Sequence, residues 1–353
     1  MTADDDRSHQ SLAERAKAAV PRPVKDALKP IVRTIVHLRE EKLPRRSYAA
    51  ADNWTGNRWT IDDHGRLYKF FFICGCYKSG THWVQHILNL HPAVNVTGEF
   101  HFEALWKGFN QLVSVPWYLS AKPPVSDVAA DTVQDLVRRT MYTQLRDKPA
   151  AVWLGDRTPR PLGEFLPGAP TIAIRRDGRD VMVSWNFHHL RVKDPTRFLE
   201  QFQPQAMKLI PEFQADPSAF EKKGKGFLVD EEWFRFHAKL WASTVLTEMQ
   251  EAKRFRERGT PLLEIGYERM WHDVQSHADR LYRFLDLDPA EAEPLSRENK
   301  TLPGFENSAP NKFLRKGVIG EWKEYFDERQ IRWFKQEAGE VLIAAGYEKD
   351  MQW

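Results

Sequence analysis

The chain has 353 residues, 42% of them hydrophobic, enough to bury a large α/β core as one big domain or one with an appendage. Its 52 basic and 49 acidic residues leave a formal charge of +3, too close to balance for general nucleic-acid binding, so any preference for anions has to be local. No apolar run approaches the length of a membrane span, no signal peptide is visible, and the only two cysteines, Cys74 and Cys76, would point to opposite faces of one strand; a soluble, disulfide-free protein of the cytoplasm is expected.

Residues 1–15 are polar and read as disordered. Val24, Leu28, Ile31, Ile35 and Leu38 then recur at threes and fours among Lys25, Lys29, Arg33 and Arg39, an amphipathic stretch in which Pro30 breaks or starts a helix. Such a stretch docks on the body of the protein or on a second copy of the chain, with weak attachment to a membrane surface as the alternative. Residues 1–60 are therefore read as an N-terminal extension and 61–353 as the main domain.

The most informative segment follows, FFFICGCYKSGTHW from Phe70 to Trp83. Phe70 to Cys74 has the length and residue types of a buried strand, and Trp83, Ile87, Leu88 and Leu90 recur at helical spacing. Between them Gly75 and Gly80 let the backbone approach an anion, the helix start favours negative charge, and Ser79 and Thr81 add hydroxyl donors beside Lys78. Gly75 to Gly80 has the GxxxxG frame of a Walker A loop, but His82 follows Thr81 and the lysine sits inside the loop, the wrong place for a nucleotide triphosphatase. His82 and His86 lie four apart on one helix face, yet no HExxH frame or third clustered ligand follows, so no metal is expected.

Downstream, His91-Pro92 leads to Thr97-Gly98-Glu99-Phe100-His101, and Ala151 to Pro159 forms a second strand-to-loop junction carrying Asp156 and Arg157. Thr171 to Ser184 reads as a strand, a turn at Asp177-Gly178 and a helix with Val181 and Trp185 on one side. Trp233, Phe234, His237 and Trp241 mark a helix, and Leu262 to Glu268 a strand ending in Tyr267-Glu268. Phe313 to Lys323, FLRKGVIGEWK, taken alone reads as a basic surface loop, with a mobile cationic flap on two glycine hinges as the alternative; Asp327 then caps a core helix through Ile331, Phe334, Val341 and Leu342 to Gly346.

KSGTHW closely resembles the 5′-phosphosulfate loop, PKSGTTW, of the sulfotransferases that use 3′-phosphoadenosine 5′-phosphosulfate (PAPS). Tyr77 replaces the proline and His82 the second threonine, where imidazole can still donate a hydrogen bond. Arg176 and Ser184, eight apart, are similar to the family's 3′-phosphate pair, and Phe313, Arg315, Lys316 and Gly317 to its RKGxxGDWK element, which closes over that phosphate. Tyr267 matches a tyrosine near adenine, and Trp83 a position whose ring stacks on it. The resemblance covers roughly residues 69–347. It implies a P-loop-like fold, a central parallel sheet of five or slightly more strands flanked by helices on both faces, with PAPS across the C-terminal strand ends. In relatives the region around 186–240 lies over the acceptor pocket, so here it is read as a substrate-covering insertion.

Sulfuryl transfer needs an acceptor hydroxyl that loses its proton as it attacks, a sulfur in line, and positive charge on the departing phosphate. Lys78 suits the last task. No KTH motif of the small-molecule sulfotransferases is present; Glu99, 21 residues after Lys78, instead matches the carboxylate of carbohydrate, protein-tyrosine and many bacterial relatives. Glu99 is expected to be the base, its carboxylate helped by partial burial beside Phe100 and Phe102, with His101 and Asp156 as rivals. The plainer role of Asp156 is to pair with Arg157 or order the pocket. The expected reaction passes a sulfuryl group to a hydroxyl, less readily an amine, of a small-molecule, lipid or carbohydrate acceptor, and releases adenosine 3′,5′-bisphosphate. A P-loop-type small-molecule kinase and a non-catalytic nucleotide-binding scaffold are the alternatives.

Overall fold

The structure is a computed structural model and describes residues 59–115, 125–160, 163, 165–304, 309–312 and 315–353. The amphipathic stretch before residue 59 and the flap residue Phe313 lie outside the described residues. Contacts divide the chain into two units, and the site belongs to the one formed by Trp54–Lys107 and Val128–Trp353.

In chain order the elements are β1 (Thr60–Asp63), β2 (Arg66–Cys74), α1 (Thr81–Leu88), β3 (Val94–Val96), α2 (Phe102–Val113), α3 (Val125–Tyr142), β4 (Trp153–Asp156), β5 (Thr171–Arg175), α4 (Gly178–Leu190), α5 (Gln203–Ala215), α6 (Glu231–Arg258), β6 (Leu262–Gly266), α7 (Tyr267–His272), α8 (Val274–Phe284), α9 (Trp322–Tyr325) and α10 (Glu328–Ala344). The sheet runs β3-β4-β2-β5-β6, all parallel, with β1 antiparallel on β2. β2 is the central strand, pairing Phe70 with Leu154 on one side and Ile73 with Ile172 on the other.

That position explains its uninterrupted apolar run, since both faces are covered. Phe71 and Ile73 point to the side of Val84, Ile87 and Leu88 of α1 and Leu281 of α8. Phe70, Phe72 and Cys74 point the other way, toward Val137 and Met141 of α3 and Phe255 of α6. A third cluster joins α4, α5, the first half of α6 and α10 around Phe187, Phe213, Trp233, Trp241 and Phe334. Helix starts are set by acidic caps: Asp177 accepts from the Arg179 amide, Asp230 from Trp233, and Asp327 makes a capping box with Gln330 on α10. Both cysteines are free and buried, and burial pushes the Cys74 thiol up to about 11. One boundary differs from expectation: β6 stops at Gly266 and Tyr267 opens α7, so its ring is presented from a helix start.

Candidate active site

All five parallel strands deliver their C-terminal ends to one place. The loop to Gly80 follows β2, Glu99 follows β3, Arg157 follows β4, Arg176 follows β5 and Tyr267 follows β6. Twelve of the fourteen residues expected from sequence line a single cavity of about 230 Å³: Lys78, Gly80, Thr81, His82, Trp83, Glu99, Arg176, Ser184, Tyr267, Arg315, Lys316 and Gly317. Ser79 is buried beside it, its hydroxyl without a hydrogen-bond partner among the described residues, and Phe313 is outside them.

The loop is shaped by close approach. A Cβ on Gly75 would lie 2.4 Å from the Ile174 carbonyl oxygen. Gly80 has φ +103, and a Cβ there would sit 2.7 Å from the Tyr267 ring, so glycine is required on two counts. Lys78 itself takes a left-handed φ of 68. α1 then starts at Thr81 with no side-chain cap and no acidic residue in its first turn, leaving the positive end of the helix to the cavity. Burial pushes the Lys78 ammonium down to about 7, with the charges of Arg191 and Arg176 adding to the effect.

Arg176 ties this loop to the C-terminal segment. Its Nη2 donates 2.8 Å to the Val318 carbonyl, its Nη1 3.4 Å to the Lys78 carbonyl, and its guanidinium lies 4.2 Å from the Tyr267 ring centroid. The expected mobile flap is anchored at both glycines: Tyr267 Oη and Trp271 Nε1 donate to the Gly317 carbonyl at 3.0 and 2.9 Å, and Asp180 accepts from the Gly320 and Trp322 amides at 2.7 and 3.0 Å. Arg315 forks onto Glu321, Nη1 to Oε1 at 2.5 Å and Nη2 to Oε2, while Lys316 reaches Glu221 and Glu321 at 3.4 Å each. Trp83 Nε1 donates 2.6 Å to the Thr301 carbonyl and its ring meets Tyr267 edge-on at 5.3 Å.

Glu99 departs from its expected surroundings. Arg157 Nη1 donates to its Oε1 at 2.5 Å and His101 Nε2 lies 3.3 Å from its Oε2, so a guanidinium and an imidazole face the carboxylate, while the Phe100 and Phe102 rings stack on each other at 5.3 Å. The same Arg157 nitrogen is 3.2 Å from His82 Nδ1, and burial, followed by the Arg157 charge, pushes His82 down to about 3. A neutral imidazole that accepts at Nδ1 carries its proton on Nε2. Asp156 does not pair with Arg157: it is fully buried outside the cavity lining, accepting from the Phe100 amide at 3.1 Å and the Thr158 hydroxyl at 3.0 Å, and burial pushes its carboxyl up. Thr158 in turn accepts from the His101 amide at 3.2 Å, so Asp156 orders the Glu99 loop from beneath.

Sequence reading missed Phe187, His188, Arg191 and Glu321, all of which line the cavity. The first three lie three, four and seven residues after Ser184, Phe187 and His188 on α4 and Arg191 capping its C-terminal end, a helical spacing that would have found them. Burial pushes Arg191 down to about 10, with Arg315 adding, and His188 down to about 3, with Lys78 adding. His188 also lines a second cavity of about 400 Å³, walled by Phe198, Leu199, Phe202, Phe236 and His237 from the 186–240 region.

A parallel sheet flanked by helices, with a glycine-framed loop running from its central strand into a bare helix start, is a P-loop-like architecture. The sulfotransferase domain matches residues 69–344, and the chain belongs to that family. No curated protein matches it. Among solved structures it is similar to mouse sulfotransferase SULT7A1 complexed with PAP, at 17% identity over 80% of this chain and 94% of that one, with a TM-score of 0.41. Retinol dehydratase in complex with androsterone and the inactive cofactor PAP gives 19% identity, 77% and 80% coverage and 0.39; sulfotransferase STF9 from Mycobacterium avium gives 13%, 78%, 76% and 0.37.

Proposed function

We propose that the protein transfers the sulfuryl group of PAPS to a hydroxyl, less readily an amine, of an acceptor and releases adenosine 3′,5′-bisphosphate. The observation that carries this reading is the convergence of three anion-binding segments, separated by about a hundred residues or more, on one cavity. The cavity suits the ligand's two charged ends: Lys78, the start of α1 and neutral His82 on the 5′ side, Arg176, Ser184, Arg315, Lys316 and Gly317 on the 3′ side, and the Trp83 and Tyr267 rings between them.

In the reaction the acceptor oxygen attacks sulfur as Glu99 takes its proton, a new S–O bond forms, and the bond from sulfur to the 5′-phosphate oxygen breaks with its electron pair going to that phosphate. Lys78 meets the charge that appears there. Arg157 fixes Glu99 Oε1 and leaves Oε2 for the hydroxyl, with His101 beside it. No metal is needed for these steps. The acceptor is a small molecule, lipid or carbohydrate whose body occupies the second cavity, reached past His188. A cytoplasmic setting, where PAPS is made, suits the chemistry. Among the described residues no helix is long and apolar enough to cross a membrane.

The kinase alternative asks for a Mg²⁺-binding carboxylate at a second strand end. Asp156, the last residue of β4, and Asp177, just after β5, are turned to backbone and hydroxyl donors and to Arg179 respectively, which disfavours it. Calorimetric titration of wild type and Arg176→Ala with adenosine 3′,5′-bisphosphate and with Mg·ATP tests the reading. Tight bisphosphate binding, weakened roughly ten- to a hundredfold in the variant, is expected for loss of a buried charge-assisted contact. Preference for ATP, or no binding by folded protein, overturns it; transfer of labelled sulfate from PAPS separates an enzyme from a scaffold.

A further inference from the structure

The two cations of the C-terminal segment that the 3′-phosphate would use are already held by a carboxylate of the same segment. Glu321 takes both Nη atoms of Arg315 and lies 3.4 Å from Lys316 through Oε1, and Arg315 and Glu321 are both buried, 8% and 4% exposed. The end-on fork of a guanidinium is the edge that also takes a phosphate in two-point fashion, and here that edge faces Glu321 while the guanidinium plane rests 4.2 Å from the Phe187 ring centroid. Nor is Glu321 on a loose strand. The amides on either side of it, Gly320 and Trp322, are both bonded to Asp180, itself buried on α4. Glu321, Arg315 and Lys316 all line the cavity, so the carboxylate stands in the ligand's own space.

We propose that Glu321 is an internal counter-anion: it holds Arg315 and Lys316 in place and competes with a 3′-phosphate for them, weakening the bisphosphate product and hastening its departure. This rests on the sulfotransferase reading. A dianionic phosphate wins Arg315 only by displacing a carboxylate whose backbone is pinned, and it meets repulsion from that carboxylate as well. Removing the charge removes both opposing effects, and the consequence is selective. A nucleotide without a 3′-phosphate has nothing to exchange for Glu321 and is indifferent to it.

The test is titration of wild type, Glu321→Gln and Glu321→Asp with adenosine 3′,5′-bisphosphate and with adenosine 5′-monophosphate, and stopped-flow measurement of bisphosphate release. Glu321→Gln is expected to bind the bisphosphate about tenfold or more tighter and to release it more slowly by a similar factor, while 5′-monophosphate binding stays within about twofold. Glu321→Asp keeps the charge but is one methylene too short to fork Arg315 from a fixed backbone; it is expected to tighten the bisphosphate by a smaller factor and remains a test if the glutamine variant does not fold. Unchanged or weaker bisphosphate binding in the folded variants, or equal tightening of both nucleotides, overturns the proposal. Failure of wild type to bind the bisphosphate at all removes the sulfotransferase reading first, and this one with it.

Discussion

Under the proposed function, the two ends of the cavity would meet negative charge by opposite strategies. On the 5′ side the groups are fixed by regular structure, a central strand running through a glycine-framed loop into a helix, and the strongest influences on Lys78 after burial are other cations, Arg191 and Arg176. On the 3′ side the segment from Arg315 to Glu321 lies before α9 with little regular structure, and each cation there is matched by a carboxylate of the chain, Arg315 by Glu321 and Lys316 by Glu221 and Glu321. At the rigid end Lys78 feels burial and other cations more strongly than the opposing Glu99 carboxylate. The cations of the irregular end are paired in advance, and under the counter-anion proposal a ligand would have to compete for them.

The largest expected effects fall on the rigid end, at the groups assigned to chemistry. Glu99→Gln keeps shape and a hydrogen-bond partner for Arg157 but cannot take a proton; kcat is expected to fall about 10²- to 10⁴-fold with bisphosphate affinity nearly unchanged. Lys78→Met removes the charge at the departing phosphate and is expected to cost roughly 10²- to 10³-fold in kcat, together with weaker bisphosphate binding. Steady-state sulfate transfer from PAPS measures the first number in each case and calorimetry the second. If Lys78→Met loses affinity alone and keeps kcat, the lysine is a binding group only and the contrast between the two ends loses its catalytic meaning.

That both residues line the cavity is legible in the sequence, Lys78 from the local logic of its glycine-framed loop and Glu99 from the resemblance of its stretch to the family's carboxylate segment. The layered α/β fold is legible from local pattern too: β2 reads as a two-sided buried strand from FFFIC alone, and its alternate side chains do divide between two cores. Pairings set by the sheet are not legible. Glu99 and Arg157 are 58 residues apart and meet because β3 and β4 are adjacent, which local sequence does not disclose; sequence proximity instead suggests Asp156, one residue away, as the partner of Arg157. Glu321 is hidden differently: its place in the RKGxxG element is visible, but that its carboxylate turns back onto Arg315 depends on Asp180 holding the backbone from α4, well over a hundred residues earlier.

Glycine substitutions sharpen the comparison at smaller magnitude. Gly80→Ala meets both a left-handed φ and the Tyr267 ring, whereas at Gly320, with φ +74, an added Cβ would have no described atom within 4 Å and the variant would suffer only the backbone cost, about 1–2 kcal/mol. Urea unfolding should therefore show a greater loss for Gly80→Ala, and bisphosphate affinity should drop by about tenfold or more in that variant while Gly320→Ala changes it little. Equal losses would mean that the loop yields as readily as the C-terminal segment.

The smallest effect is the most direct reading of the charge imbalance. Burial and the neighbouring Arg191 and Arg176 push Lys78 down to about 7 in the free protein, with Glu99 alone among its named neighbours opposing them. An anion arriving beside it favours the charged form and pulls that value back up. The sign follows: binding gains the full contribution of the ammonium below about pH 7 and loses it as pH rises through the higher, ligand-bound value, with affinity falling by at most about tenfold per pH unit. At pH 8 the phosphates of the bisphosphate are already dianionic and His82 and His188, both pushed to about 3, stay neutral, so Lys78 is the group expected to take up a proton on binding. Binding enthalpies measured at pH 8 in two buffers of different ionisation heat should report uptake of a large fraction of one proton in wild type and none in Lys78→Met. No uptake in wild type would show that Lys78 is already fully charged before the ligand arrives, and that the 5′ side, like the 3′ side, carries its own compensation.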